Sequence, residues 1–128
     1  MEQRQVAFEQ QLKSTRLFAS KPIAMAFEEW CSIVRIGYVG MCGDLFHAGH
    51  LNILQIAKVY CQLVVVGILT DDAVRSYKRT PVISFEDRRR IISLTELVDI
   101  VIAQDSLSYR KNLSLVRPNY LFHGNCQH

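Results

Sequence analysis

The chain has 128 residues, 15 Lys and Arg against 12 Asp and Glu, and 49% apolar residues. That balance excludes a charge-swollen disordered segment and fits one soluble domain with a single core. A net charge of +3 is too small for a nucleic-acid footprint, and the longest apolar run, Leu63 to Leu69, falls far short of the ~20 residues that cross a bilayer.

Residues 1–32 are rich in Gln, Glu, Phe and Ala, with Val6, Leu12, Leu17 and Phe18 at loosely helical spacing. They predict a helical N-terminal extension in two pieces, interrupted at Lys21-Pro22, because proline cannot donate within a helix and biases its predecessor towards extended geometry. The second piece is expected to run to about Trp30. Such a segment packs on its own domain or on a partner subunit. From residue 33 the pattern changes to β-branched runs, Ile33–Val39, Leu63–Leu69 and Val98–Ile102, with a last one at Tyr120–Phe122. Between them, Gly49–Cys61 and Ser84–Leu97 carry helical periodicity, the second opened by Ser84 with Asp87 three residues on. Alternating strands and helices predict an α/β, Rossmann-like parallel sheet with helices on both faces, over residues 33–128.

Ligands of such sheets collect where the strands end at their carboxyl side. The segments that follow the predicted strands are Gly40 to His50, Thr70-Asp71-Asp72, Ala103-Gln104-Asp105 and His123-Gly124-Asn125. His47 and His50 stand three apart at the start of the first helix of this region, so both rings project from its first turn. A helix N-terminus offers N–H groups and partial positive charge, and Gly40, Gly43 and Gly49 would let backbone approach closely. These features predict a phosphate site. A metal site is the rival, but two histidines need a third ligand and Asp44 is the sole local candidate, so no metal ligands are assigned. The cysteines, Cys31, Cys42, Cys61 and Cys126, form no CxxC pair and read as reduced thiols of a cytoplasmic protein. Met1-Glu2-Gln3-Arg4-Gln5 lacks the apolar stretch of a secretory signal.

Tyr38-Val39-Gly40-Met41 followed by Asp44-Leu45-Phe46-His47-Ala48-Gly49-His50 resembles the HxGH signature of the nucleotidylyltransferase superfamily, and more closely its cytidylyltransferase branch. The resemblance continues through Leu69-Thr70-Asp71-Asp72, Ser76-Tyr77-Lys78-Arg79, Ser84-Phe85-Glu86-Asp87-Arg88-Arg89 and His123-Gly124-Asn125, and covers about residues 33–126. It implies transfer of CMP from CTP, with Mg²⁺, to a small anionic acceptor of the phosphocholine, phosphoethanolamine or aminoethylphosphonate type, with pyrophosphate released. Positioning and charge stabilisation would then do most of the catalytic work. By the same resemblance His47, His50, Lys78 and Arg88 would be catalytic. Gly40, Met41, Asp44 and Gly49 would line the nucleotide, joined by Asp71, Gly124 and Asn125. Tyr77 and Lys78 would meet the acceptor, and a homodimer is expected.

Two departures accompany the likeness. Asn125-Cys126 stand where the family has a Gly-Asp-Asp type turn. The family's later Arg-Thr-x-Gly-Ile-Ser type segment, which grips the triphosphate, does not occur within the 128 residues. The expectation is weak nucleotide binding and slow turnover, from a truncated chain, a degenerate member, or a pocket completed by a partner. A non-catalytic nucleotide-binding or assembly module of the same fold is the alternative reading, and an adenylyltransferase of the superfamily a third.

Overall fold

The computed structural model describes residues 3–123. Gly124 and Asn125, expected at the nucleotide, and Cys126 lie outside them. The elements run α1 (Gln3–Lys13), α2 (Arg16–Ala19), α3 (Phe27–Ile33), β1 (Ile36–Met41), α4 (Ala48–Tyr60), β2 (Leu63–Leu69) and α5 (Asp71–Arg75). After these come α6 (Phe85–Ser93), β3 (Ile100–Gln104), α7 (Arg110–Val116) and β4 (Tyr120–His123).

The four strands pair in parallel in the order β3-β2-β1-β4. Every residue of β1 and β2 is buried, as continuous β-branched runs demand when both faces of a sheet are covered. Alternation along the strands then separates two cores. Ile36, Tyr38, Leu63, Val65 and Ile100 pack with Phe8 and Leu12 of α1, Trp30 of α3 and Val116 of α7. Val39, Met41, Val64, Val66 and Ile68 face Leu54 and Ala57 of α4 and Ile92 of α6. The result is a helix–sheet–helix sandwich in which the N-terminal segment supplies much of one outer layer. The strand sequence steps outward from β1 through β2 to β3, and the chain then returns to place β4 on the other side of β1. The order reverses between β1 and β4, and a crevice at their carboxyl ends follows from that reversal.

Several boundaries differ from the sequence expectation. The N-terminal segment breaks across Lys21-Pro22, between α2 and α3, and breaks a second time after Lys13, where the Thr15 hydroxyl caps α2 through the Phe18 N–H. Its last helix runs past Trp30 to Ile33, which moves the start of β1 to Ile36. Strand β3 begins two residues late because the Asp99 carboxylate is occupied by Lys58 Nζ at 2.7 Å and the Val64 N–H at 2.8 Å. Helix α6 ends at Ser93 and not at Leu97, with the Leu94 N–H turned back on Ile91 and Ile92. Two short helices went unpredicted. Helix α5 is capped by Thr70 through the Ala73 N–H, and α7 has no side-chain cap and ends on a left-handed Arg117 at φ 51°.

Trp30 is 3% exposed and meets Phe18 edge-on at a ring distance of 5.1 Å, with Phe27 stacked at 6.1 Å. Trp30→Ala should cost roughly 3–5 kcal/mol of unfolding free energy, measured by denaturant titration followed by circular dichroism. A loss within ordinary surface values would mean that the N-terminal helices only drape over the sheet.

Candidate functional site

The site grows from the carboxyl end of β1. Gly43 adopts φ +74° and Leu45 φ 53°, both left-handed, so the chain turns sharply between the strand and α4. A Cβ on Gly43 would also fall 2.6 Å from the Ile92 side chain. Asp44 holds this turn to the loop before α6, its two oxygens accepting from the Val82 and Ile83 N–H groups at 2.9 Å each. Partial burial works to raise the Asp44 pKa, but those N–H groups and the charges of Arg88 and Lys78 outweigh it and hold the carboxyl below its ordinary value. The residue expected at the nucleotide thus acts here as a loop anchor.

His47 is the N-cap of α4, with its Nδ1 accepting from the Gly49 N–H at 3.0 Å. His50 reaches back so that its Nδ1 accepts from the His47 N–H, also at 3.0 Å. This is a capping box made of imidazoles. A neutral ring whose Nδ1 accepts carries its proton on Nε2, so each histidine is left with one Nε2–H donor. The two rings lie 4.2 Å apart. His47 is exposed, whereas His50 is only 7% exposed and stacks on Phe46 at 5.1 Å, deeper than its sequence context suggested. Burial, and then the neighbouring His47, lower its pKa from 6.5, so the ring is a neutral donor at pH 7. Gly49 has a second reason to be glycine, since a Cβ there would sit 2.8 Å from the His47 ring.

Arg88 is not where an open phosphate ligand would stand. It is 0% exposed, with Nε donating to Ile83 O at 2.9 Å, Nη1 to Cys42 O at 2.6 Å and Leu69 O at 2.7 Å, and Nη2 to Asp71 Oδ1 at 2.6 Å. Four of the five N–H bonds that a guanidinium carries are thereby spent. Arg88 and Asp71 form a buried clamp behind the site that joins the ends of β1 and β2 to α6. The sequence placed both residues in the right neighbourhood and could not show that they face each other.

A cavity of about 270 Å³ opens at the carboxyl ends of all four strands, lined by Met41, Leu69, Tyr77, Gln104, Leu107, Tyr109 and His123. Met41 and Tyr77 were expected there. Lys78, half-buried, places its ammonium 5.5 Å over the Tyr77 ring. Gln104 and His123 fall in flagged segments but were not singled out. Tyr109 gave no signal at all, because it precedes a helix that the periodicity missed. Its hydroxyl lies 2.7 Å from His123 Nδ1 and donates to Gly40 O at 3.4 Å. Gly40 is glycine to seat this phenol, since a Cβ would come within 2.5 Å of it, and the ring covers the backbone expected to approach phosphate. Among the described residues no group of three His, Cys, Asp or Glu could hold a metal ion, and no helix is long and apolar enough to cross a membrane.

A family model described as Cytidylyltransferase-like matches residues 39–128. The chain belongs to the cytidylyltransferase-like family. Its α/β domain is of the nucleotidyltransferase type. Among curated relatives, the bifunctional protein HldE of Wolinella succinogenes is 32% identical over 112 residues, which are 85% of this chain and 24% of that protein. HldE of Methylobacillus flagellatus is 35% identical over 92 residues, 70% of this chain and 19% of that protein. The chain therefore spans under a quarter of these relatives. The crystal structure of the lipopolysaccharide core biosynthesis protein from Thermoplasma volcanium GSS1 superposes with a TM-score of 0.66 at 23% identity, over 69% of this chain and 72% of that one. It shares the fold. Neither curated relative is named for a phosphocholine-type acceptor.

Two outcomes follow from the family's site as built here. Arg88→Met should cost about 2–4 kcal/mol by urea unfolding, because it leaves the buried Cys42 and Leu69 carbonyls without a donor; a loss under about 1 kcal/mol would mean the clamp is ornamental. His50 has a folded pKa below 6.5, so its contribution to stability is complete above 6.5 and is lost as pH falls through the folded value. His50→Asn keeps an acceptor for the His47 N–H and should flatten the pH dependence of unfolding below 6.5. An unchanged slope would assign that dependence to other groups.

Proposed function

We propose that the chain transfers CMP from CTP to a small phosphate- or phosphonate-bearing acceptor and releases pyrophosphate. The observation that carries this reading is the pair of neutral Nε2–H donors at the start of α4, each fixed by a backbone N–H on its Nδ1. An acceptor oxygen attacks the α-phosphorus, the bond from the α-phosphorus to the bridging oxygen breaks, and pyrophosphate leaves with the electron pair. No protein nucleophile is needed. His47 and His50 stabilise charge that builds on the oxygens around the α-phosphate, assisted by the positive end of a 13-residue helix. Neutral donors suit this role, because they need no proton taken up or given away during the step. The acceptor occupies the cavity beside Tyr77, with Lys78 nearby as counter-charge.

Mg²⁺ arrives on the triphosphate, whose negative charge it offsets. The name of the Thermoplasma relative favours a second acceptor class, since a lipopolysaccharide core is built of sugars, and a sugar phosphate belongs in the assay beside the phosphocholine group. We further propose a homodimer, to be checked by sedimentation of the intact chain. Removing residues 1–32 is not a fair test, because Phe8, Leu12 and Trp30 belong to the core.

Pyrophosphate release should be measured with CTP and with ATP against phosphocholine, phosphoethanolamine, 2-aminoethylphosphonate, glycerol 3-phosphate and a sugar 1-phosphate. CTP should be the better donor, and His50→Ala should lower kcat by roughly 10²–10³, the size of one lost preorganised donor, with the fold intact by circular dichroism. Nucleotide binding without any pyrophosphate would leave a binding module and end the enzymatic reading. Faster turnover with ATP would reassign the nucleotide.

A further inference from the structure

The cavity contains a buried amide whose orientation is dictated from the first turn of the chain. Gln104, the last residue of β3, is 2% exposed and lines the cavity. Its Oε1 accepts from the Tyr38 hydroxyl at 2.6 Å, and its Nε2 donates to Ser106 O at 3.0 Å. The Tyr38 oxygen accepts in turn from Asn112 Nδ2 at 2.9 Å, whose other N–H donates to Ala103 O at 3.0 Å. Asn112 Oδ1 accepts from Arg4 Nη2 at 2.6 Å.

The donor and acceptor inventory leaves one arrangement. A guanidinium only donates and a backbone carbonyl only accepts, so Asn112 must turn its oxygen to Arg4 and its NH₂ to Ala103 and Tyr38. Receiving a proton there, Tyr38 gives its own to Gln104. The Gln104 oxygen therefore faces inward and its NH₂ faces Ser106 and the cavity. One of its two N–H bonds is held by Ser106 and the second is left for whatever fills the space. Burial pushes the Tyr38 phenol up to about 12 against the lowering effects of Asn112 and Arg4, so the hydroxyl keeps its proton and the relay keeps its direction through neutral pH. The residue beside the hydroxyl is Gly67, where a Cβ would overlap the Tyr38 oxygen.

We propose that Gln104 is a specificity-determining residue that offers a fixed N–H to an oxygen of the acceptor substrate, and that Arg4 of α1 is a positioning residue that holds this polarity through Asn112 and Tyr38, together with the Ala103 and Ser106 carbonyls. The identity of the ligand rests on the nucleotidyl-transfer reading; the polarity of the relay does not. A hydroxyl or phosphate oxygen is recognised by this group, and an ammonium or methyl is not.

The test uses the intact, ¹⁵N-labelled chain. With no ligand present, the Gln104 and Asn112 side-chain amide signals should both shift in Arg4→Met while the backbone amide of Val66 stays in place, and Arg4→Lys, which still donates, should restore them. In steady-state assays with CTP, Arg4→Met should raise the KM of the acceptor substrate about fivefold with kcat within about twofold, the size of one neutral hydrogen bond. Gln104→Glu, which puts an anion where the donor stood, should raise KM further. Unmoved Gln104 signals in Arg4→Met would overturn the relay, and shifted signals with unchanged KM would overturn the ligand contact. A wild-type chain that turns over no acceptor would remove the specificity role together with the transfer reading, while the spectra would still decide the relay.

Discussion

A single buried guanidinium holds the working end of this fold together. Moving a charge out of water costs several kcal/mol unless its donors are satisfied, and Arg88 is satisfied by Cys42 O, Leu69 O, Ile83 O and Asp71. Those partners belong to the end of β1, the end of β2, the approach to α6 and the start of α5. Parallel strands leave their terminal carbonyls facing the crevice where ligands bind, and those carbonyls need donors. Arg88 supplies them from behind and leaves the front open. Asp44 does the matching task for the outer loop, binding two N–H groups where Arg88 binds carbonyls. The two residues of opposite sign fix the segment from which His47 and His50 are launched.

Arg88, Asp71 and Asp44 spend their charge on architecture, and the donors that the site presents besides Lys78 are imidazole and amide N–H groups. The histidine rings present Nε2–H bonds from a helix start, the Gln104 amide presents an N–H from a strand end, and Tyr109 and His123 hold each other across the space between β4 and α7. Donors held in place beforehand need little reorganisation when an anion arrives. Lys78 is the cationic side chain that the sequence had placed near the acceptor, and it stands over the ring of Tyr77, a wall of the cavity.

The parallel α/β sheet was legible because β1 and β2 read as continuous runs without a charged or amide side chain, the pattern of parallel strands buried on both faces. The pairing of His47 with His50 was legible because a spacing of three places both on one helical turn. What escaped were contacts between segments far apart in the chain. Arg88 carries the same letter whether it grips a phosphate or three carbonyls, and only the fold shows that Cys42, Leu69 and Asp71 surround it. Gly40 was read as room for a ligand, and nothing in its neighbours showed that Tyr109, 69 residues away, lies against it. Helix α7 escaped because its start has no capping side chain, and with it went Tyr109 and Asn112.

The N-terminal segment also bears on how the protein comes into being. Phe8 and Leu12 share a core with Ile100 and Val116, and Arg4 meets Asn112 at a separation of 108 residues. During synthesis the helices α1 to α3 emerge before the strands they cover, and that surface is not finished until α7 has followed. Until then one side of β1 and β2 lacks part of its cover, and Phe8 and Leu12 have no complete core to enter. Long-range closure of this kind slows folding and prolongs the exposure of apolar surface, so one side of the sheet stays vulnerable until two segments far apart in the chain have met.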